Sequence, residues 1–524
     1  MLNLRKVNKY RILEVQIFRL IYLMVLAIIF TFQGDLFGHS LPTGHWAYDS
    51  IRKIQILGGF QELPNGSIPY SRMDIARGLI QIKQDKSAKI IKLHPEYFRL
   101  LHEFELEIGQ YSELLPQASN EFIYTDLRLL SITALGSHPQ FSMQARVNYT
   151  IFSHVSLQYG AIVTQTLIND PNYWGYEWRG LAGYQDQLFI LFNNKYLKTM
   201  LGRDYIVWGY GHGGGLFITD NSRPFDMLKL AISGKKFRIE SFVAQLDQLS
   251  DANRYLTATR LAIDLQRHIT IGFGQSALYG GINRVLDFTL SNPLAFYSFS
   301  QDNDSKHMNM MLYSDFAMTV KPGFRIYSEL LIDDFQIDQE EQSDLEPNEI
   351  ALMIGGEAVQ VLNRFDIWVE FTQVRNRTYN VPNMRPWEKF IHRGRPVAHP
   401  EGTDFQLFAA HSDVWLYPGL QSYVEVSILK KGEGTITGDF TEPWMASDVS
   451  LDSGYSEKIP TGIIESTSCV KVGLKYIPSK SIILDLSIGY QDIKNAFNIN
   501  EENSSGINAS VKLVVDYDKL SGAL

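Results

Sequence analysis

Residues 141–151, FSMQARVNYTI, decide the fold class. Phe141, Met143, Ala145, Val147, Tyr149 and Ile151 alternate with Ser142, Gln144, Arg146, Asn148 and Thr150. A strand repeats every two residues, so this pattern gives one apolar and one wet face. The same alternation returns at 155–164, 261–266, 365–372, 470–476, 482–490 and 507–517. Several runs reach the roughly 9–11 residues that a tilted strand needs to cross a bilayer. A soluble sandwich has strands of about five or six residues. Here the runs are longer, and their polar set carries both signs of charge, including Arg146, Asp366, Glu370, Lys471, Lys475, Asp485 and Lys512. That set suits a wet lumen. About 400 residues from Glu121 onward, at roughly 20–25 per strand with its connection, give about 16–20 antiparallel strands.

Composition agrees with a large closed sheet. Aromatics make up 12% of 524 residues, and 39 glycines stand beside 19 prolines, which favours strands and turns. A net charge of −9 argues against a nucleic-acid partner, since a polyanion needs a concentrated positive surface. The single cysteine, Cys469, excludes an internal disulfide and a thiolate metal cluster. Arg5, Lys6, Lys9, Arg11 and Arg19 precede the apolar stretch 20–32, LIYLMVLAIIFTF. This reads as a secretion signal within 1–40, too short to span a bilayer comfortably. Cleavage is expected between Gly34 and Ser40, the alternative being a retained anchor.

The segment 41–84 has helical spacing over 47–57 (Ile51, Ile54, Leu57) and 71–82 (Ile75, Leu79, Ile82), with Ser71 as N-cap and Asp74 completing a capping-box variant. His45-Trp46-Ala47, Leu57-Gly58-Gly59 and Tyr70-Ser71-Arg72-Met73-Asp74 resemble an S-layer homology motif. That resemblance implies a grip on peptidoglycan, with Trp46 and Arg72 as wall-binding candidates. One copy stands where that family often carries three, and the alternative is a small helical cap with Trp46 in its core. Residues 85–120 read as a linker helix whose Glu103, Glu105 and Glu107 face water.

The least ordinary passage is 201–230, LGRDYIVWGYGHGGGLFITDNSRPFDMLKL. Residues 209–214 satisfy G-x-G-x-x-G, but a strand-like run, 216–219, and a turn cluster follow, so no helix opens where a phosphate would need one. The stretch is expected to fold at or into a barrel mouth and narrow it. Trp208-Gly209-x-Gly211, Gly214-Gly215-Leu216 and the run 219–225, TDNSRPF, resemble the capsule assembly protein Wzi family. Residues 291–297, SNPLAFY, and 324–335, FRIYSELLIDDF, agree with a later part of that pattern. The resemblance implies an outer-membrane barrel of about 18 strands that holds surface polysaccharide.

Long extracellular loops are expected near 283–310, 333–350, 376–404 and 431–468. The acidic run 333–349 lacks the spacing of a calcium-binding loop. In 376–399, Arg385 and Arg393 stand near Trp387, an arrangement that suits carboxylates and sugar rings, or else a loop packed across the mouth. With Trp208, Tyr210, His212 and Arg223 they form the set of polysaccharide-contact candidates. No catalytic motif occurs; His212 and Asp220 would be the first suspects in a barrel hydrolase. The reading is therefore mainly β: a transmembrane antiparallel β-barrel at 121–524 with a small N-terminal helical domain in the periplasm of a Gram-negative-type cell. It is non-enzymatic, uses no cofactor or metal, and meets surface polysaccharide and outer-membrane lipid, with peptidoglycan as a further partner where the S-layer-like segment grips the wall. The alternatives are a diffusion channel or transporter, and a tether between outer membrane and wall.

Overall fold

The computed structural model describes residues 39–522 except 114–121, 153, 195, 266–267, 304–306 and 337–339. The signal sequence expected at the N-terminus and the last part of the linker, 114–120, lie outside the described residues. Eighteen antiparallel strands close into one barrel. The first, Phe122–Ala134, pairs with both its neighbour Gln140–Phe152 and the last strand, Ser504–Gly522. The 470–476, 482–490 and 507–517 runs fall within Glu465–Ser479, Ile482–Lys494 and Ser504–Gly522. Closure satisfies the ladder groups that an open edge would leave unpaired, which a bilayer does not tolerate.

The faces are opposite to those of a soluble protein. Phe141, Met143, Val147, Val470, Val472, Leu474, Ile488, Val511 and Leu513 are exposed, whereas Arg146, Asn148 and Thr150 are buried inside. Arg146 donates to Asp186 at 2.8 Å and Gln187 at 3.1 Å. Apolar surface of this extent belongs against lipid, with the polar set satisfied in the lumen. One rim carries tight turns, such as 322–323 and 418–419, while the other carries the long connections 165–181, 205–224, 282–308, 375–404 and 432–464.

The N-terminal helices enter the barrel from the tight-turn rim. They are α1 (Ala47–Ile56), α2 (Arg72–Gln84), α3 (Lys89–Leu93), α4 (Pro95–Glu103) and α5 (Glu105–Glu113). α1 and α2 match the spacing in the sequence, but the linker helix does not form as one piece. Pro95 restarts the chain at the first position of α4, with His94 capping it by accepting from the Glu96 amide at 3.2 Å. Ser71 takes the N-cap position of α2 without a side-chain cap hydrogen bond. Asp74 instead accepts from Lys198 of the barrel wall at 2.7 Å.

Ile51, Ile54, Ile75, Leu79, Leu100 and Phe104 form a core of the helical domain's own, to which the barrel contributes only Val359 among the clustered buried residues. Polar groups therefore anchor the domain to the wall. Lys53 donates to Asp413 at 2.7 Å and pairs with Asp366 at 2.9 Å. Arg52 pairs with Glu357 and donates to the Tyr210 carbonyl at 2.5 Å.

Candidate functional site

At the long-loop end the glycine-rich segment folds inward, as its composition predicts, and lumenal carboxylates hold its backbone. Glu329 accepts from the amides of Tyr210 (2.5 Å), Gly211 (3.1 Å) and Leu216 (2.9 Å). Glu370 accepts from the His212 amide at 2.9 Å and the Tyr327 hydroxyl at 2.7 Å. Gly209 has φ +117°, and a Cβ there would overlap the Glu329 carboxylate. The 216–219 run does not form the expected strand, because its backbone is used otherwise. The Leu216 carbonyl accepts from the Tyr379 hydroxyl at 2.6 Å, and the Thr219 amide donates to Val397 at 3.0 Å. Residues Val207–Trp208 pair instead with Ser67–Ile68 of the helical domain, so the two fillings of the lumen meet.

Trp208 and Tyr210 are buried in this mouth, Trp208 against Phe217 and Phe242. Their side chains fill space. The His212 ring stacks on Trp368 at 4.3 Å and lies 2.9 Å from Glu357. Burial foremost, then Arg52, outweighs Glu357 and lowers its pKa below the ordinary histidine value. His212 and Asp220 line one cavity of about 440 Å³ between α1 and the glycine segment. Other lumenal cavities measure about 730 and 420 Å³. Among the described residues no cluster of His, Cys, Asp or Glu is placed to hold a metal ion.

The remaining candidates separate into two patches on the long-loop face. Arg223 and Arg393 both lie over Trp174, their guanidinium carbons 5.4 and 4.1 Å from the ring centre. Asp170 fixes Arg223 at 2.6 Å and Arg395 at 2.7 Å. Arg385 and Trp387 line a separate cleft of about 690 Å³ with Arg284, Phe288 and His307. There Arg385 is paired with Glu388 at 3.2 Å, and Arg254 of the wall fixes the loop by donating to the Trp387 and Lys389 carbonyls at 2.6 and 2.7 Å.

At the other end, Arg72 is 3% exposed and binds Glu103 at 2.9 Å and Glu107 at 2.5 Å. This corrects the solvated reading of those two glutamates; only Glu105 of the three is exposed. Burial raises the Glu103 pKa to about 7 against the pull of Arg72. For Glu107 burial also acts upward, but Arg72 and His39 outweigh it and hold the value at about 2. The Arg99 guanidinium covers the Trp46 ring at 4.1 Å. Both wall-binding candidates thus have partners inside the protein.

The model of the capsule assembly protein Wzi family matches residues 186–505, more than half the chain. The chain belongs to the Wzi family. No curated protein matches it by sequence. Among solved structures, the Wzi-family fold is shared with Wzi of Escherichia coli, described as an outer-membrane, carbohydrate-binding β-barrel involved in group 1 capsule assembly. The identity is 13%, the coverage 91% of this chain and 99% of that one, and the TM-score 0.60. Pseudomonas aeruginosa OccD3 (10% identity, 78% and 93% coverage, TM-score 0.44) and OprD (9%, 78% and 98%, 0.42) are more distant.

In this Wzi-family chain the sequence reading missed the 165–181 connection, which precedes the matched residues. Trp174, Tyr176 and Trp178 are exposed there, Tyr176 by 97% and Trp178 by 65%. The signal was present as YWGYEW at 173–178, four aromatic residues, two Tyr and two Trp, within six positions.

Proposed function

We propose that the protein holds exported surface polysaccharide at the outer membrane on its long-loop face and does not pass it through the barrel. The observation that carries this reading is a lumen filled from both ends beneath a rim bearing aromatic and guanidinium groups. Arg forks fit carboxylates and aromatic faces fit sugar rings, so the polymer is acidic. Family membership supports the assembly role, and E. coli Wzi is itself described as carbohydrate binding. The lumenal carboxylates Asp315, Glu357, Asp366 and Asp413 are tied up in ion pairs with Arg260, Arg325, Arg52 and Lys53, so the lumen offers a closed polar network in place of an open path for a polymer.

In the orientation that bacterial barrels share, tight turns are periplasmic and long loops extracellular. The helical domain then sits at the periplasmic end and the outward apolar band meets outer-membrane lipid. The protein is a non-enzymatic binding device: the His212 ring is engaged by Trp368 and Glu357, leaving it poorly placed as a base. A peptidoglycan tether is less well supported, because Arg72 is spent on Glu103 and Glu107. The test is a deletion strain assayed for cell-bound and shed polysaccharide. Loss of the protein is expected to move polymer into the medium; unchanged retention, or altered uptake of small solutes alone, would refute the reading.

A further inference from the structure

The connection at 165–181 is held in place although it is exposed. The Tyr173 hydroxyl donates to the Gly183 carbonyl at 2.9 Å and accepts from the Gly183 amide at 3.0 Å. Trp178 and Leu181 exchange backbone hydrogen bonds of 2.8 and 3.0 Å. Asp170 closes a turn on the Asn172 amide at 2.9 Å while also gripping Arg223 and Arg395. Ordering this backbone in advance removes an entropic cost that a free loop would meet on binding.

On that frame the cations are of two kinds. Arg223 and Arg395 share the single carboxylate of Asp170, and the Nε of each is buried without a hydrogen-bond partner. Arg393 and Arg179 lie over the faces of Trp174 (4.1 Å) and Trp178 (5.1 Å), and neither belongs to an ion pair among the described residues. A guanidinium resting on an indole keeps its edge donors for a planar anion. Tyr176 stands between Trp174 and Trp178 in sequence and is 97% exposed.

From this the geometry points to a subsite for carboxylate-bearing pyranoses of the exported polymer, with Arg393 and Arg179 reading the carboxylates and Tyr176 and Trp178 stacking on the rings. It rests on the polysaccharide-holding reading above and adds the site and the ligand class. The competing occupant with similar charge is a lipopolysaccharide phosphate, which would need the cations but not the carboxylate. The cleft at Arg385 is a weaker candidate, because Arg385 and Arg284 already have carboxylate partners at 3.2 and 3.7 Å.

The test uses the full chain in lipopolysaccharide-free detergent, with polygalacturonate, carboxyl-reduced polygalacturonate and dextran as probes. Wild type is expected to bind polygalacturonate at least about tenfold more tightly than either neutral polymer. R179A/R393A is expected to remove that preference, and Y176A/W178A to weaken binding while the barrel stays heat-modifiable on gels. Salt is expected to weaken binding of the wild type more than of R179A/R393A. The proposal fails if wild type does not bind polygalacturonate, if carboxyl reduction changes nothing, or if R179A/R393A binds as wild type does. It also fails if that variant loses only lipopolysaccharide. In cells, shedding by the deletion strain with full retention by R179A/R393A would sink this subsite alone, whereas no shedding by the deletion strain would sink the polysaccharide reading itself.

Discussion

Arg72 shows how one side chain organises the helical domain. Its guanidinium satisfies Glu103 and Glu107, 31 and 35 residues away, and lies against the rings of Phe104 and Tyr124. Removing one member of such a buried set leaves the others without compensation, which costs roughly 3–5 kcal/mol. R72A is therefore expected to expose residues 72–108 to protease while the barrel remains heat-modifiable; protection equal to wild type would show that the pairs contribute little. The sequence displayed these glutamates but not their state. Alternating acids on a helix ordinarily mark a solvated face, and nothing local at 103–107 reveals that a cation from α2 lies across from them. Trp208 and Tyr210 are a similar case: an aromatic beside glycine reads equally as a sugar platform or a space filler, and only the structure reveals that both rings are buried.

Strands were far more legible than the segments that fill the barrel. Period-two alternation follows from an apolar outer face and a polar lumen along each strand, so the described residues of every run that the sequence displayed lie in barrel strands. The fillings lack such periodicity, and their backbone groups take individual partners in place of a ladder: Gly209 donates to Gly66, Trp208 to Ile218, and Leu216 to Glu329. That is why 216–219 looked like a strand and is not one. The glycine segment should be correspondingly sensitive to backbone change. In G209V a β-branched residue would be forced to φ near +117° and into the carboxylate that holds three amides. Strain and overpacking together are expected to cost at least about 1–3 kcal/mol. Hydrogen exchange at Tyr210, Gly211 and Leu216 should accelerate while amides of Ser504–Gly522 keep their protection. Unchanged exchange at those three amides would mean that Glu329 does not determine the fold of the mouth.

At the scale of the whole molecule the two fillings are joined inside the lumen, so a disturbance at the tight-turn end has a physical route to the long-loop end. Arg52 of α1 pairs with Glu357 and donates to the Tyr210 carbonyl. Glu357 also takes Arg325 at 2.6 Å and lies 2.9 Å from the His212 ring, while the Gly66 carbonyl accepts from the Gly209 amide at 3.0 Å. The helical domain is anchored chiefly by such polar contacts, because its apolar core is its own, and loss of one anchor leaves lumenal carboxylates short of charge. R52A is thus expected to accelerate exchange not only in α1 but across the lumen at 209–216. Residues that share partners do not contribute independently: their coupling is typically about 0.5–3 kcal/mol. R52A and G209V should accordingly be less than additive in combination, since each removes support that the other also needs. Exchange-derived opening free energies for wild type, the two single variants and the double variant measure this coupling directly. Additivity within about 0.3–0.5 kcal/mol would mean that the helical domain and the mouth open separately, and that contact between them carries no signal from one side of the barrel to the other.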